Sequence, residues 1–66
     1  MTWKEAQRLV SGTRLIMSER GRAVYPRAIG TAAFLSMARD SVSVRIQRDG
    51  VKQIEIMPAS YWDRAT

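Results

Sequence analysis

"SVRIQRDGVKQIEIMP", residues 43–58, decides how this chain is read. With Val42 in front of it, Val44 and Ile46 alternate with Ser43, Arg45 and Gln47, the period-two pattern of a half-buried strand. Past Asp49 and Gly50 the alternation resumes, with Ile54 and Ile56 between Gln53 and Glu55. A two-residue Asp-Gly loop would set Ile46 opposite Gln53 and put the two apolar rows out of phase. A three-residue loop, Arg48-Asp49-Gly50 with Gly50 left-handed in a bulge, pairs Gln47 with Val51, Val44 with Ile54 and Val42 with Ile56. Both apolar rows then face inward. The outer face carries Ser43, Arg45, Gln47, Val51, Gln53 and Glu55, with Arg45 beside Glu55.

The remaining elements are placed around this hairpin. Thr2 and Glu5 have capping-box spacing, and Trp3, Ala6, Leu9 and Val10 follow at helical steps, so residues 2–10 are expected to form a short helix docked by that face. Residues 13–18, "TRLIMS", read as the first strand. "ERGRAVYPRAIG", residues 19–30, is broken by Gly21, Pro26 and Gly30 and reads as a long loop. "TAAFLSM", residues 31–37, suits strand or helix; the preceding Gly30 and the turn signal "ARDS" favour strand. Pro58 ends the hairpin's ladder, and residues 61–65 form a last short strand. The expected core is Leu9, Leu15, Met17, Phe34, Val42, Val44, Ile54 and Ile56.

At 66 residues the chain makes one domain, a helix over 1–11 and strands over 12–66, burying only about 60% of its unfolded surface. It contains no Cys and no His, which removes disulfides and the usual zinc sites, so no metal and no cofactor is expected. No apolar run approaches the roughly 20 residues of a membrane span, and the N-terminus lacks a signal-peptide pattern, so a cytoplasmic location is expected.

Eleven basic residues face six acidic ones, for a net charge of +5, and nine of the eleven are arginine. That surplus suits a polyanion, because the guanidinium grips phosphate with two prongs. Equally, it can reflect a GC-rich genome, with charge serving solubility alone.

A catalytic reading finds little to use, and no catalytic residue is assigned. Without His or Cys, acid–base work would fall to carboxylates. Asp40 and Asp49 sit in turns, Glu19 and Asp63 lie among arginines that would pair with them, and no phosphate-cradling glycine motif is present.

The plan of helix, long loop, three strands, a turn at Pro58 and a terminal strand resembles an SH3-like barrel. "GTRLIMSERGRAVYPRAIGTAAFLSMARDSVSVRIQRDG" is similar to the small phage and prophage SH3-like proteins: Gly-x-Arg-apolar, a basic loop, Gly-Thr, an alternating strand and Asp-Gly. "QIEIMPASYWDRA" looks like the close of the type II, plasmid-borne dihydrofolate reductases. That family lines a pore with Val-Gln-Ile-Tyr before its proline; this chain has Ile54, Glu55, Ile56 and Met57 there. A carboxylate in place of the amide would repel anionic ligands, so the resemblance implies the fold and not the reductase activity. The fold class is therefore mainly all-β, an SH3-like, five-stranded small barrel with a short N-terminal helix. SH3-like barrels of the KOW type imply that RNA binding is open to this architecture.

The function expected is a small non-enzymatic binding module, phage- or prophage-derived, that meets DNA or RNA. Its contacts would be Arg20, Arg22, Tyr25 and Arg27 in the basic loop, with Arg45, Arg48 and Lys52 extending the patch along the hairpin. The competing reading packs Tyr25 against the domain and leaves the arginines solvated. The alternative function is a protein-interaction or homo-oligomerising module that modulates a host protein through Trp3, Tyr61 and Trp62, one Trp filling the core and the other left exposed.

Overall fold

The computed structural model describes residues 1–65 and is mainly β. Five antiparallel strands form one sheet in the order β4-β3-β2-β1-β5. They are β1 (Arg14–Met17), β2 (Thr31–Met37), β3 (Ser43–Arg48), β4 (Glu55–Pro58) and β5 (Trp62–Arg64). Two short helices, α1 (Trp3–Ala6) and α2 (Glu19–Val24), accompany them, and a single 3-10 turn, Ala59–Tyr61, links β4 to β5. All five strands feed one core: Leu15 and Met17, Ala32 and Phe34, Val44 and Ile46, Met57, and Trp62, closed by Ala6 and Ala59. One-faced burial from every strand, in a body of 27 × 24 × 23 Å, requires the sheet to curl around that core.

The capping box forms as expected: the Glu5 N–H donates to Thr2 Oγ1 at 3.2 Å and the Thr2 N–H to Glu5 Oε1 at 3.0 Å. The helix is shorter than the sequence periodicity implies. After Ala6 the backbone tightens, with Arg8 N–H bonding the Glu5 carbonyl and Leu9 N–H the Ala6 carbonyl. The predicted face is not buried as a unit: Ala6 is buried and Leu9 packs partly on the core, whereas Val10, past the tightened turn, and Trp3, at the helix start, are exposed.

The expected loop over residues 19–30 contains α2. Ser18 caps it, accepting from the Gly21 N–H at 3.2 Å, and its own hydroxyl donates to the Ser60 carbonyl at 2.6 Å. Gly21 is a packing residue here, since a Cβ at this position would stand 2.3 Å from the Tyr61 carbonyl oxygen. Helix and 3-10 turn lie backbone to backbone.

β2 matches its expected span, and the "ARDS" turn is present. The Asp40 carboxylate accepts from the Val42 and Ser43 N–H groups and from the Ser43 hydroxyl, which lets Ser41 adopt φ 61°.

The decisive hairpin takes a different register. Val44 faces Met57, Arg45 faces Ile56 and Ile46 faces Glu55. Gly50 is left-handed, at φ 80°, as expected, but the Val51 N–H returns to the Arg48 carbonyl and not to Gln47, which closes a tight turn over Asp49-Gly50 in place of the bulged three-residue loop. The chain does not then re-enter the ladder. Gln47 holds it out, its carboxamide donating to the Lys52 carbonyl at 2.9 Å and the Val51 carbonyl at 3.4 Å. Pairing is displaced by three residues, an odd number, so every β4 side chain changes face. Met57 enters the core in place of Ile54 and Ile56, which are 51% and 62% exposed. Val42, also expected inside, is half-exposed beyond the end of β3.

Candidate nucleic-acid interface

Tyr25 stands at the C-terminal end of α2, its N–H donating to the Gly21 carbonyl at 2.9 Å. Because Gly21 presses α2 onto the 3-10 turn, the Tyr25 ring meets Tyr61 edge-on, with centroids 6.2 Å apart at 67°. The Arg48 guanidinium lies 5.9 Å from the Tyr25 ring centre. Held on these two sides, the ring remains 38% exposed, an aromatic surface with a fixed orientation.

Arg48 is not the solvated hairpin arginine that the sequence suggested. It shares a strand face with Ile46 and is clamped by Glu55, which the sequence reading paired with Arg45. The carboxylate's hydrogen bonds raise the Arg48 pKa further above its already high value. Its charge is neutralised where it stands, so Arg48 orients Tyr25 rather than offering itself to phosphate.

The other predicted contacts divide. Arg22 folds over Gly30, its Nη2 lying 3.1 Å from where a Cβ there would stand, and Arg27 is exposed in the turn after Tyr25. The Gly50 turn approaches Ile29 on this same side. Arg20 borders a shallow depression with Ser60 and Asp63. Arg45 projects from the opposite face of β3 to Arg48, and Lys52 is exposed in the loop that Gln47 secures. Thus Arg22, Tyr25, Arg27 and Arg48 share one end of the domain, while Arg45 lies elsewhere. Arg20, Arg22 and Arg27 form no ion pair among the described residues.

The carboxylates other than Glu19 are occupied structurally, and Glu19, expected to pair with an arginine, forms no ion pair among the described residues. Asp49 bonds the Arg14 guanidinium and the Thr31 hydroxyl, which hold its pKa below the usual carboxylate value. Asp63 pairs with the N-terminal ammonium at 2.9 Å, and not with a neighbouring arginine. No group of three or more His, Cys, Asp or Glu converges on a metal-sized site among the described residues.

The terminal segments that carry the three proposed protein contacts meet, the Met1 ammonium donating to the Trp62 carbonyl at 2.6 Å. Trp62 is the tryptophan that fills the core, so it is not at the surface to meet a partner; Tyr61 is partly buried, and Trp3, 40% exposed, is the tryptophan left outside. Trp3 borders an apolar groove of about 630 Å³ with Val42, Pro58 and Ala59, a surface the sequence reading missed because it placed Val42 inside. No helix among the described residues is long and apolar enough to cross a membrane.

Comparison with known proteins gives no match: no protein-family model, no curated protein and no solved structure resembles the chain closely enough to place it in a family.

Proposed function

We propose that this chain is a small non-enzymatic binding module of the cytoplasm, of the phage or prophage kind, that meets single-stranded nucleic acid at the Tyr25 end. The strand order, with a 3-10 turn before the last strand, supports the SH3-like barrel reading. The observation that carries the functional reading is Tyr25 itself, an exposed ring braced by Tyr61 and Arg48 among Arg22 and Arg27. A fixed aromatic face offers a base a stacking surface, and arginines on the same segment reach the flanking phosphates.

Fluorescence anisotropy with labelled DNA and RNA oligonucleotides, single- and double-stranded, at two salt concentrations tests this. Affinity should fall steeply with salt. Tyr25→Leu should cost about 1–3 kcal/mol per stacked base, and Arg27→Ala should reduce the salt slope by about one. Absence of binding at low salt would sink the proposal.

The apolar groove beside Trp3 favours a second reading, a protein-interaction or homo-oligomerising module that modulates a host protein. Light scattering on the same sample tests self-association.

A further inference from the structure

The two edges of the sheet are treated differently. At β5 the N-terminal ammonium donates to the Trp62 carbonyl at 2.6 Å and to Asp63, so the start of that edge is engaged. At β4 no such engagement exists among the described residues, and the phase of the ladder shows which backbone groups are left over. The Ala59 N–H bonds the Val42 carbonyl, so bonded pairs recur at Val44–Met57 and Ile46–Glu55. The β2 side agrees, since Ser43 and Asp49 are the residues that bond across to Ala38 and Thr31. Ile56 therefore turns its N–H and C=O away from β3, and Pro58 its C=O. Proline's missing N–H falls on the open edge and costs no ladder bond.

The side chains beside that edge are apolar at alternate positions: Ile54, Ile56 and Pro58, leading to the groove of Trp3 and Val42. Cations stand at both ends, Lys52 in the loop before Ile54 and Lys4 on the groove beside Pro58, with exposed Arg45 directly across from Ile56. The nearby acids are engaged, Glu55 by Arg48 and Asp40 by its turn.

We propose that the free edge of β4 takes up an extended peptide with apolar residues at alternate positions and acidic residues at its ends, as an added antiparallel or parallel strand. The backbone groups of Ile56 and Pro58 supply hydrogen bonds, the isoleucines and the Trp3 groove receive side chains, and Lys4, Arg45 and Lys52 meet the carboxylates. A second copy of this chain fits less well, because its own β4 would bring the same three cations against themselves. The shortness of β4 and its terminal Pro58 keep the edge from propagating into aggregates.

A capped Asp-Glu-Val-Thr-Val-Thr-Val-Glu-Asp peptide and its Leu and Phe analogues serve as probes, followed by amide NMR shifts and anisotropy. Binding should shift the Ile54 and Ile56 amides, and weaken by about tenfold or more on N-methylation of the apolar residues, in Ile56→Asp, and in Arg45→Glu. Both side chains are exposed, so both variants should keep the fold, which circular dichroism checks. Tyr25→Leu should leave peptide affinity unchanged, which separates this site from the nucleic-acid surface. Four results overturn the proposal: no shift at about 1 mM of any peptide, affinity indifferent to N-methylation, shifts confined to α2 and Tyr25, or a dimer that Ile56→Asp dissolves.

Discussion

The Arg48 guanidinium grips both carboxylate oxygens of Glu55, Nε to Oε1 at 2.7 Å and Nη2 to Oε2 at 3.1 Å. The side chains are only 20% and 28% exposed, so this two-pronged pair lies where water screens it less than at an open surface. It seals the end of the core beneath Tyr25. Glu55→Gln leaves Arg48 half-buried without its counter-charge and should cost about 1–3 kcal/mol in urea denaturation. Glu19→Gln, an exposed acid with no ion pair among the described residues, should stay within about 0.5 kcal/mol.

Gly21→Ala should reverse the usual helix rule. In an exposed helix interior that change stabilises by about 1 kcal/mol. Here the new methyl group meets the Tyr61 carbonyl oxygen at 2.3 Å, and backbone on both sides leaves little freedom to yield. A net loss of about 1–3 kcal/mol is expected, by thermal or chemical denaturation, with the Tyr25–Tyr61 contact pried apart. Ala23→Gly, two residues along on the exposed side, should cost about 1 kcal/mol from propensity alone.

Acid should destabilise the protein through three carboxylates. Asp40 is held below its usual pKa by the Ser43 and Val42 N–H groups and the Ser43 hydroxyl, Asp49 by Arg14 and the Thr31 hydroxyl, and Glu5 by the Thr2 N–H and hydroxyl. In each case the unfolded chain takes up its proton at a higher pH than the folded one. The stabilisation is therefore complete above about pH 5 and is lost as pH falls below about 4 and through the folded-state values. Thermal unfolding from pH 7 down to pH 2 should show a flat Tm and then a decline, and Asp40→Asn should make the decline shallower.

What the sequence made legible was the local patterning. Period-two alternation identified β3, the flanking Gly30 and "ARDS" turn identified β2, the Thr2–Glu5 spacing identified the first cap, and Gly50 identified the left-handed turn. α2 was hidden because Gly21 reads as a breaker, yet Ser18 followed by Glu19 is a helix-start signature that outweighs it. The Tyr25 site was half legible. Its arginines and aromatic lie together in sequence, whereas Tyr61 and Arg48 arrive only through the α2 packing and the hairpin register. Register was the costliest unknown. A left-handed Gly50 was foreseen, but not the tight Asp49-Gly50 turn it closes, and the side-chain bonds from Gln47 that carry the chain out toward Ile54 depend on three-dimensional reach and leave no period in the sequence.

That register makes opposite demands on neighbouring residues, so mutation can read it directly. With Val44 opposite Met57, the methionine is 4% exposed and its truncation opens the core between Val44 and Trp62. Met57→Ala should therefore cost about 2–5 kcal/mol. Ile56, one residue earlier, lies on the outer face, and Ile56→Thr keeps a β-branched side chain there, so the loss should be under about 1 kcal/mol. A three-residue loop inverts the order, burying Ile56 and exposing Met57. Urea denaturation of the two variants under one condition distinguishes the registers, because a shift by an odd number of residues exchanges the faces of β4 and no smaller adjustment can.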